Sequence, residues 1–444
     1  MAEEGGEVKQ VVKAARALEG KVSPPGDKSI SHRAVILNGI ARGNAKVRNF
    51  AKSADCLATV SCMRALGVKV EPLESDGLLV KGVGEKGLRE ANDVLSVENS
   101  ATTMRLLAGL LAAQPFLSII TGDESLRSRP MDRVIQPLRL MGAQIWGRNN
   151  DTRAPLVIRG GQLHGIHYTL PVASAQLKSA LLLAALFTQG DTVLKEPMPS
   201  RDHTERMLKA MGAEIGVKGD AISISPGRLK AVDVTVPADI SSAAFWLVAG
   251  AIHPRAKIRL LNIGINPTRS GILDVLNSMG ASLSLENRSV VSGEPIADLM
   301  VQSSRLSGIE VGGELIPRVI DEIPLIALAA SVAQGRTVIR DAQELRVKET
   351  DRISATVKEL RKIGADVEEM PDGMVIRGNK GLHGAACDSH GDHRLAMMLG
   401  VAALVAEGET EIDNAEAVNI SYPRFWQDLK RLSSGQSRNR VGEG

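Results

Sequence analysis

The sequence predicts an α/β protein folded as two closed domains, each assembled from three copies of one helix–strand–helix–hairpin repeat. Three observations lead there. Amphipathic helices with a Gly-Ala-like stop recur as CMRALGVKV, PLRLMGAQI, MLKAMGAEI, VLNSMGASL and LRKIGADV, with glycines at 67, 142, 212, 280 and 364. Glycine suits the left-handed position that ends a helix, and the alternating residues after it read as a strand leading to a hairpin. Ahead of each stands a strand, and ahead of that strand a more apolar helix.

The apolar helices begin near KSISHRAVIL, NSATTMRLLAGLL, SAQLKSALLLAAL, ISSAAFWLVAGAI, DEIPLIALAA and DHRLAMMLGVAAL. Their strands are KVRN, SIITGD, TVLKE, KIRLLN, TVIRD and EIDN. Turn signals such as SDG, KGD and PDG separate the hairpin strands, and the second of these (LLVKG, ISISPG, MVIRG) runs into a Leu-x-Gly-like segment. A period of roughly 70 residues is too long for a solenoid and fits closed domains. The sixth repeat stops after its second helix, Tyr422 to Leu432, without a hairpin. Residues Val8 to Val22 resemble the missing half, Leu18-Glu19-Gly20 matching Leu382-His383-Gly384. Residues 1–25 with 239–444 are therefore expected to form one discontinuous domain (repeats four to six), 26–238 the other (repeats one to three), and 436–444 a flexible tail. Proline and small residues break the elements at Pro24-Pro25-Gly26 and Pro237-Ala238-Asp239, where the chain crosses.

With 444 residues and 43% hydrophobic content the chain can fill such cores. Lys+Arg (54) nearly balance Asp+Glu (51) and aromatics make up 2%, so neither a basic field nor stacking platforms point to nucleic acid. Anion binding must be local. Cys56, Cys62 and Cys387 fit neither a disulfide framework nor a CxxC metal pattern, which suggests a reducing compartment, by default the cytoplasm. The N-terminus shows no basic-then-apolar signal, and the apolar stretch Leu106 to Ile120, broken by Gln114 and Pro115, is too short and polar for a membrane span.

Polar residues gather at the starts of the apolar helices, where free N–H groups and partial positive charge suit phosphate and carboxylate. Lys28, Ser29 and Arg33 occupy the first start, Asn99, Ser100 and Ala101 the second, Ser174 and Gln176 the third. The fourth offers Asp239, Ser241 and Ser242, the fifth Asp321 and Glu322, the sixth Asp392, His393 and Arg394. Ser, Asn and Asp also serve as ordinary N-caps, but capping does not account for the cations. The loops add Arg127, Arg129, Arg201 and, in the fifth repeat, the run RVKETDR, Arg346 to Arg352. Guanidinium forks bind carboxylate and phosphate bidentately, so the pattern predicts a polyanion site.

Other signals fail. A P-loop ending at Lys28 would need glycines where Val22 and Asp27 stand. Gly82-Val83-Gly84-Glu85-Lys86-Gly87 matches GxGxxG but occupies a hairpin exit with no following helix. Neither His390 with His393 nor His164 with His167 has a carboxylate-rich ligand set, and no metal is expected.

PGDKSISHR, NSATTMR, SRPMDRV, SAQLKSA, RVKETDR and GDHRLAM, in this order and at these separations, closely resemble the motifs of the 3-phosphoshikimate 1-carboxyvinyltransferase (EPSP synthase) family, from about Val8 to Leu432. The resemblance implies the enolpyruvyl transferase fold, two inside-out α/β barrel domains of three repeats each. It implies transfer of the enolpyruvyl group of phosphoenolpyruvate to the 5-hydroxyl of shikimate 3-phosphate, with no metal or organic cofactor; a monomer without nucleic-acid or membrane partners is expected. Carried over by motif, Lys28, Ser29, Arg33, Ser174, Ala175, Gln176, Arg201, Asp321 and Lys348 contact shikimate 3-phosphate. Lys28, Ala101, Arg129, Gln176, Arg352 and Arg394 contact phosphoenolpyruvate. Asp321 takes the 5-hydroxyl proton, Glu349 exchanges a proton with C3, and Lys28 completes the catalytic set.

Three positions depart from much of the family. Ala101 replaces a glycine and resembles the subgroup known as class II, which implies tolerance of the inhibitor glyphosate. Ile420 stands where some members carry a lysine, and Glu344 where others carry an asparagine. The UDP-N-acetylglucosamine 1-carboxyvinyltransferases are the nearest rival, with a cysteine or sometimes an aspartate in the loop that here reads GDESLRSRPMD and contains Asp123. KSISHR and RVKETDR favour shikimate 3-phosphate. A non-catalytic polyanion-binding scaffold would need the cations but not the Lys348–Glu349 pair.

Overall fold

The structure is a computed structural model describing residues 9–73 and 76–434. The tail expected at 436–444 and Val8 lie outside the described residues. Two compact units divide the chain: one comprises the residues up to Pro24 with Ala238–Ser289 and Pro295 onward, the other Pro25–Pro237 with Val290–Glu294. Each has its own apolar core.

In the 25–237 unit the three apolar helices are Lys28–Ile40, Ala101–Ala112 and Ala175–Ala185. They are hydrophobic nearly all round, so they lie inside, and every residue from Ile30 to Ile40 is buried. Each feeds the inner strand of a four-stranded sheet: Arg42–Arg48, Leu117–Thr121 or Thr192–Lys195. One neighbour of that strand is the antiparallel hairpin of its own repeat. The other is a short parallel strand left by the preceding repeat, Leu95–Ser96 for the second sheet and His167–Thr169 for the third. Val234–Thr235, at the end of the third repeat, pairs back onto Arg42–Arg48 and closes the ring.

The second unit closes the same way, with the N-terminus supplying the last link. Glu310–Val311 lies parallel to Arg336–Ile339, and Ala386–Asp388 to Glu409–Asp413. Gln10–Lys13 pairs antiparallel with Glu409–Asp413 as the hairpin strand the sixth repeat lacks. Leu18–Val22 then runs parallel to Ala256–Gly264 of the fourth repeat, in register from Leu18 opposite Ala256 to Val22 opposite Leu260.

The five helix-stop glycines all have positive φ, from 89° at Gly280 to 99° at Gly142. In three repeats an arginine of the second helix reaches over the stop to a strand carbonyl six residues on: Arg64 to Val70, Arg139 to Ile145 and Arg361 to Val367. Gly109 allows another close approach, since a Cβ there would lie 2.0 Å from the Ala180 carbonyl oxygen. The helices Ala101–Ala112 and Ala175–Ala185 therefore touch backbone to backbone.

Two boundaries differ from expectation. The last helix, expected from Tyr422, runs Phe425–Ser433 because Pro423 disfavours helical geometry at the residue before it. Tyr422 instead buries its ring and donates its hydroxyl to Asp428 at 2.7 Å. The fifth apolar helix, expected from Asp321, begins at Ile323, behind Glu322.

Candidate active site

In the 25–237 unit Asp27 caps the first helix by accepting from the Ile30 N–H at 2.9 Å. Lys28 thus becomes its first residue, with Nζ 2.8 Å from Asp55 on the next helix, Ala54–Ala65. Arg33, one turn on, is buried and donates to Thr204 Oγ1 at 2.6 Å, the Ser29 carbonyl at 2.9 Å and Ser179 Oγ at 2.7 Å. Burial, against the pull of Glu205 and Asp27, pushes the guanidinium down to about 10.

Ala101 opens the second helix behind its cap Ser100 and is half-buried. Beside it, Asn99 Oδ1 accepts from the Arg129 guanidinium at 2.6 Å. Asp123 caps the short helix Glu124–Ser128 through the Leu126 N–H at 2.8 Å and accepts from Asn99 Nδ2 at 2.7 Å. The loop aspartate that matters to the rival reading is therefore a scaffold residue here. Ser174 caps the third helix, and Ala175 is its first residue. Gln176 accepts from Arg105 and donates to Thr102 Oγ1 at 2.9 Å. Arg201 lies half-buried in the loop before the helix His203–Ala210.

In the other unit the fifth and sixth helix starts meet around one guanidinium. Arg352, capped in by Asp351 and fully buried, lies 2.7 Å from Asp392, 2.6 Å from Glu349 and 3.4 Å from Asp321. Burial alone would lower its pKa, but Asp392, Glu349 and Asp321 outweigh that and raise it above the usual arginine value. Asp321 also faces Arg394 at 3.4 Å and Arg269 at 3.6 Å, so three guanidinium groups surround one carboxylate.

Lys348, half-buried in the same run, makes no hydrogen bond or ion pair among the described residues. Loss of water around its ammonium lowers its pKa below the ordinary 10.5, against the pull of Asp321 and Glu349. Arg346, at the head of the run, has a different place: it bonds Asp351 at 2.7 Å, Glu369 at 3.0 Å and the Met370 carbonyl at 2.7 Å. Ile420 ends the turn Ala415–Ile420, and Glu344 lies in the turn Gln343–Val347.

Sequence reasoning missed Asp55, Arg105, Arg269 and the buried Lys178. A signal existed for two of them: Arg105 and Lys178 are charges inside helices otherwise apolar enough to be buried, where a charge needs a partner. Among the described residues no group of three or more His, Cys, Asp or Glu could hold a metal ion, and no helix is long and apolar enough to cross a membrane.

The two rings of helices enclosed by sheets define the class. The enolpyruvyl transferase NikO from Streptomyces tendae has the same fold, with a TM-score of 0.77 over 97% of this chain and 98% of that one; at 18% identity the likeness concerns the fold alone. The EPSP synthase from Acinetobacter baumannii is nearer, with a TM-score of 0.86 and 42% identity over 96% of this chain and 98% of that chain. A 3-phosphoshikimate 1-carboxyvinyltransferase of Herpetosiphon aurantiacus is 54% identical over 96% of this chain and 99% of its own length. The family model for EPSP synthase (3-phosphoshikimate 1-carboxyvinyltransferase) matches residues 12–429, and the chain belongs to that family.

Proposed function

We propose that this chain transfers the enolpyruvyl group of phosphoenolpyruvate to the 5-hydroxyl of shikimate 3-phosphate and releases phosphate. One observation carries the mechanism: Arg352 lies between Glu349 and Asp321, so two carboxylates able to move protons share one buried cation. Asp321 takes the proton of the 5-hydroxyl as its oxygen attacks C2 of phosphoenolpyruvate, while Glu349 delivers a proton to C3. The tetrahedral adduct then returns a proton from C3 to Glu349 and loses phosphate, which leaves with the proton that Asp321 took from the 5-hydroxyl; the double bond and both carboxyl groups are restored. Lys28 and Lys348 each supply positive charge for the substrate anions.

Shikimate 3-phosphate is assigned to Lys28, Ser29, Arg33, Ser174, Ala175, Gln176, Arg201, Asp321 and Lys348. Phosphoenolpyruvate is assigned to Lys28, Ala101, Arg129, Gln176, Arg352 and Arg394. Support comes from the way Asn99 orients Arg129 beside Ala101, and from hydroxyl groups, not carboxylates, holding Arg33. A guanidinium without a carboxylate partner keeps its charge for a phosphate. The chain is further proposed to act as a cytoplasmic monomer without nucleic-acid or membrane partners; its near-balanced charge and its three buried free thiols support that reading.

The decisive assay is phosphate release from phosphoenolpyruvate with shikimate 3-phosphate, run in parallel with UDP-N-acetylglucosamine. Release with shikimate 3-phosphate is expected. Activity confined to the sugar nucleotide would overturn the assignment.

A further inference from the structure

Lys178 lies 1% exposed in the middle of the helix Ala175–Ala185, between Glu196 and Glu205, which are 8% and 6% exposed. Its ammonium is 2.8 Å from Glu196, 2.7 Å from Glu205 and 3.3 Å from the Ser200 carbonyl, and Ser200 Oγ donates to the other Glu196 oxygen. Three buried charges of net −1 are a poor source of stability, because their desolvation offsets most of the attraction. Their placement suggests another use. Glu196 directly follows the strand Thr192–Lys195 and Glu205 sits on the helix His203–Ala210, so Lys178 joins both ends of the loop that carries Arg201. The neighbouring residues Ser179 and Thr204 bond each other at 2.7 Å, and both accept from Arg33.

We propose that Lys178 is a positioning residue for the phosphate-bearing acceptor substrate. It clamps the loop 196–202 against the helix Ala175–Ala185, which sets Arg201 and, through Ser179 and Thr204, the Arg33 guanidinium. The inference rests on the function proposed above. It bears first on the acceptor, since the two groups the clamp sets, Arg33 and Arg201, are assigned to shikimate 3-phosphate alone.

The test compares Lys178→Met, Ser200→Ala and Leu156→Ala with the wild-type chain, with KM measured for each substrate and thermal melting for each protein. Leu156 is a fully buried core residue of the same unit, on the strand Arg153–Arg159, and controls for general destabilisation. Lys178→Met is expected to raise KM for shikimate 3-phosphate about tenfold while KM for phosphoenolpyruvate changes by less than about twofold, because small misplacements of binding groups weigh heavily. Ser200→Ala, which removes one hydroxyl and keeps the charges, is expected to raise the same KM about threefold, and it decides the matter if Lys178→Met does not fold. Equal changes in both KM values, no change in either clamp variant, or the same split in Leu156→Ala would each overturn the inference. If the wild-type chain releases no phosphate with shikimate 3-phosphate, the functional reading fails and takes the inference with it. If it does and the split is missing, the inference alone fails.

Discussion

Arg352 Nε lies 2.7 Å from Asp392 Oδ2, a contact between a guanidinium and a carboxylate that are both fully buried. The same carboxylate accepts from the Arg394 N–H at 2.8 Å and caps the helix His393–Ala403. One side chain thus holds the guanidinium of Arg352 and the backbone of Arg394, both assigned to phosphoenolpyruvate. Truncating it leaves Arg352 with less counter-charge and the helix without its cap. Asp392→Ala is expected to destabilise the protein by about 3–5 kcal/mol, the range for breaking a buried pair, read as a lower denaturant midpoint. Asp392→Asn, which keeps an acceptor oxygen, should fall between it and wild type. A midpoint unchanged in Asp392→Ala would show that the pair is not the anchor described.

Within the run Arg346 to Arg352 the contacts set a bracing arginine apart from the glutamate proposed for proton transfer. Arg346 braces the Asp351 cap and the hairpin, whereas Glu349 faces Arg352. Arg346→Met is expected to lower stability by about 1–3 kcal/mol through the lost charged hydrogen bonds, with kcat within about tenfold of wild type. Glu349→Gln should lower kcat by at least about a hundredfold with shikimate 3-phosphate binding retained, as for loss of a proton-transfer group. Equal loss of turnover in both variants would contradict the division.

That division was only partly legible in the chain itself. The repeat was readable because helix-stop glycines and polar helix starts have local causes, the left-handed turn at Gly142 and the cap at Ser174 among them. Matching Leu18-Glu19-Gly20 to a later segment placed the N-terminal stretch with the last three repeats, but it did not name the fourth repeat as the neighbour of Leu18–Val22. Charges in RVKETDR, by contrast, look alike in one dimension. Nothing local tells Arg346, turned to a carbonyl, from Arg352, buried among carboxylates. Arg269 has no nearby charge in NPTRSGI to mark it, yet it is buried against Asp239 and Asp321, residues 30 and 52 positions from it. Such pairings arise when separate repeats bring their helix starts together, and no sequence window contains both partners.

Ala101 is the first residue of its helix, beside the Asn99 that holds Arg129. A methyl group there narrows the space next to a cation assigned to phosphoenolpyruvate, and a longer anionic inhibitor suffers more than the shorter substrate. Ala101→Gly is expected to tighten inhibition by glyphosate by about one to two decades, the equivalent of ~1–3 kcal/mol of relieved crowding. KM for phosphoenolpyruvate should change much less. The same inhibition constant in both proteins would show that the Ala101 methyl group does not crowd the inhibitor.

His32, buried in the first helix, is tied through Nδ1 to Thr59 at 2.6 Å, and Thr59 to Thr103 at 2.6 Å, so one hydroxyl chain joins three helices of the 25–237 unit. Burial, reinforced by Lys28 and Arg33 and only weakly opposed by Asp27, holds its pKa well below 6.5. The folded state therefore keeps His32 neutral at pH values where the unfolded chain takes up a proton. Since the unfolded state binds more protons, stability falls as pH drops below 6.5, by up to about 1.4 kcal/mol per pH unit. His32→Gln removes this contribution. Its stability deficit against wild type, measured by denaturant unfolding, should narrow by ~1 kcal/mol between pH 7 and pH 5.5. A deficit that stays constant over that interval would mean that His32 takes up its proton in the folded protein as readily as in the unfolded one.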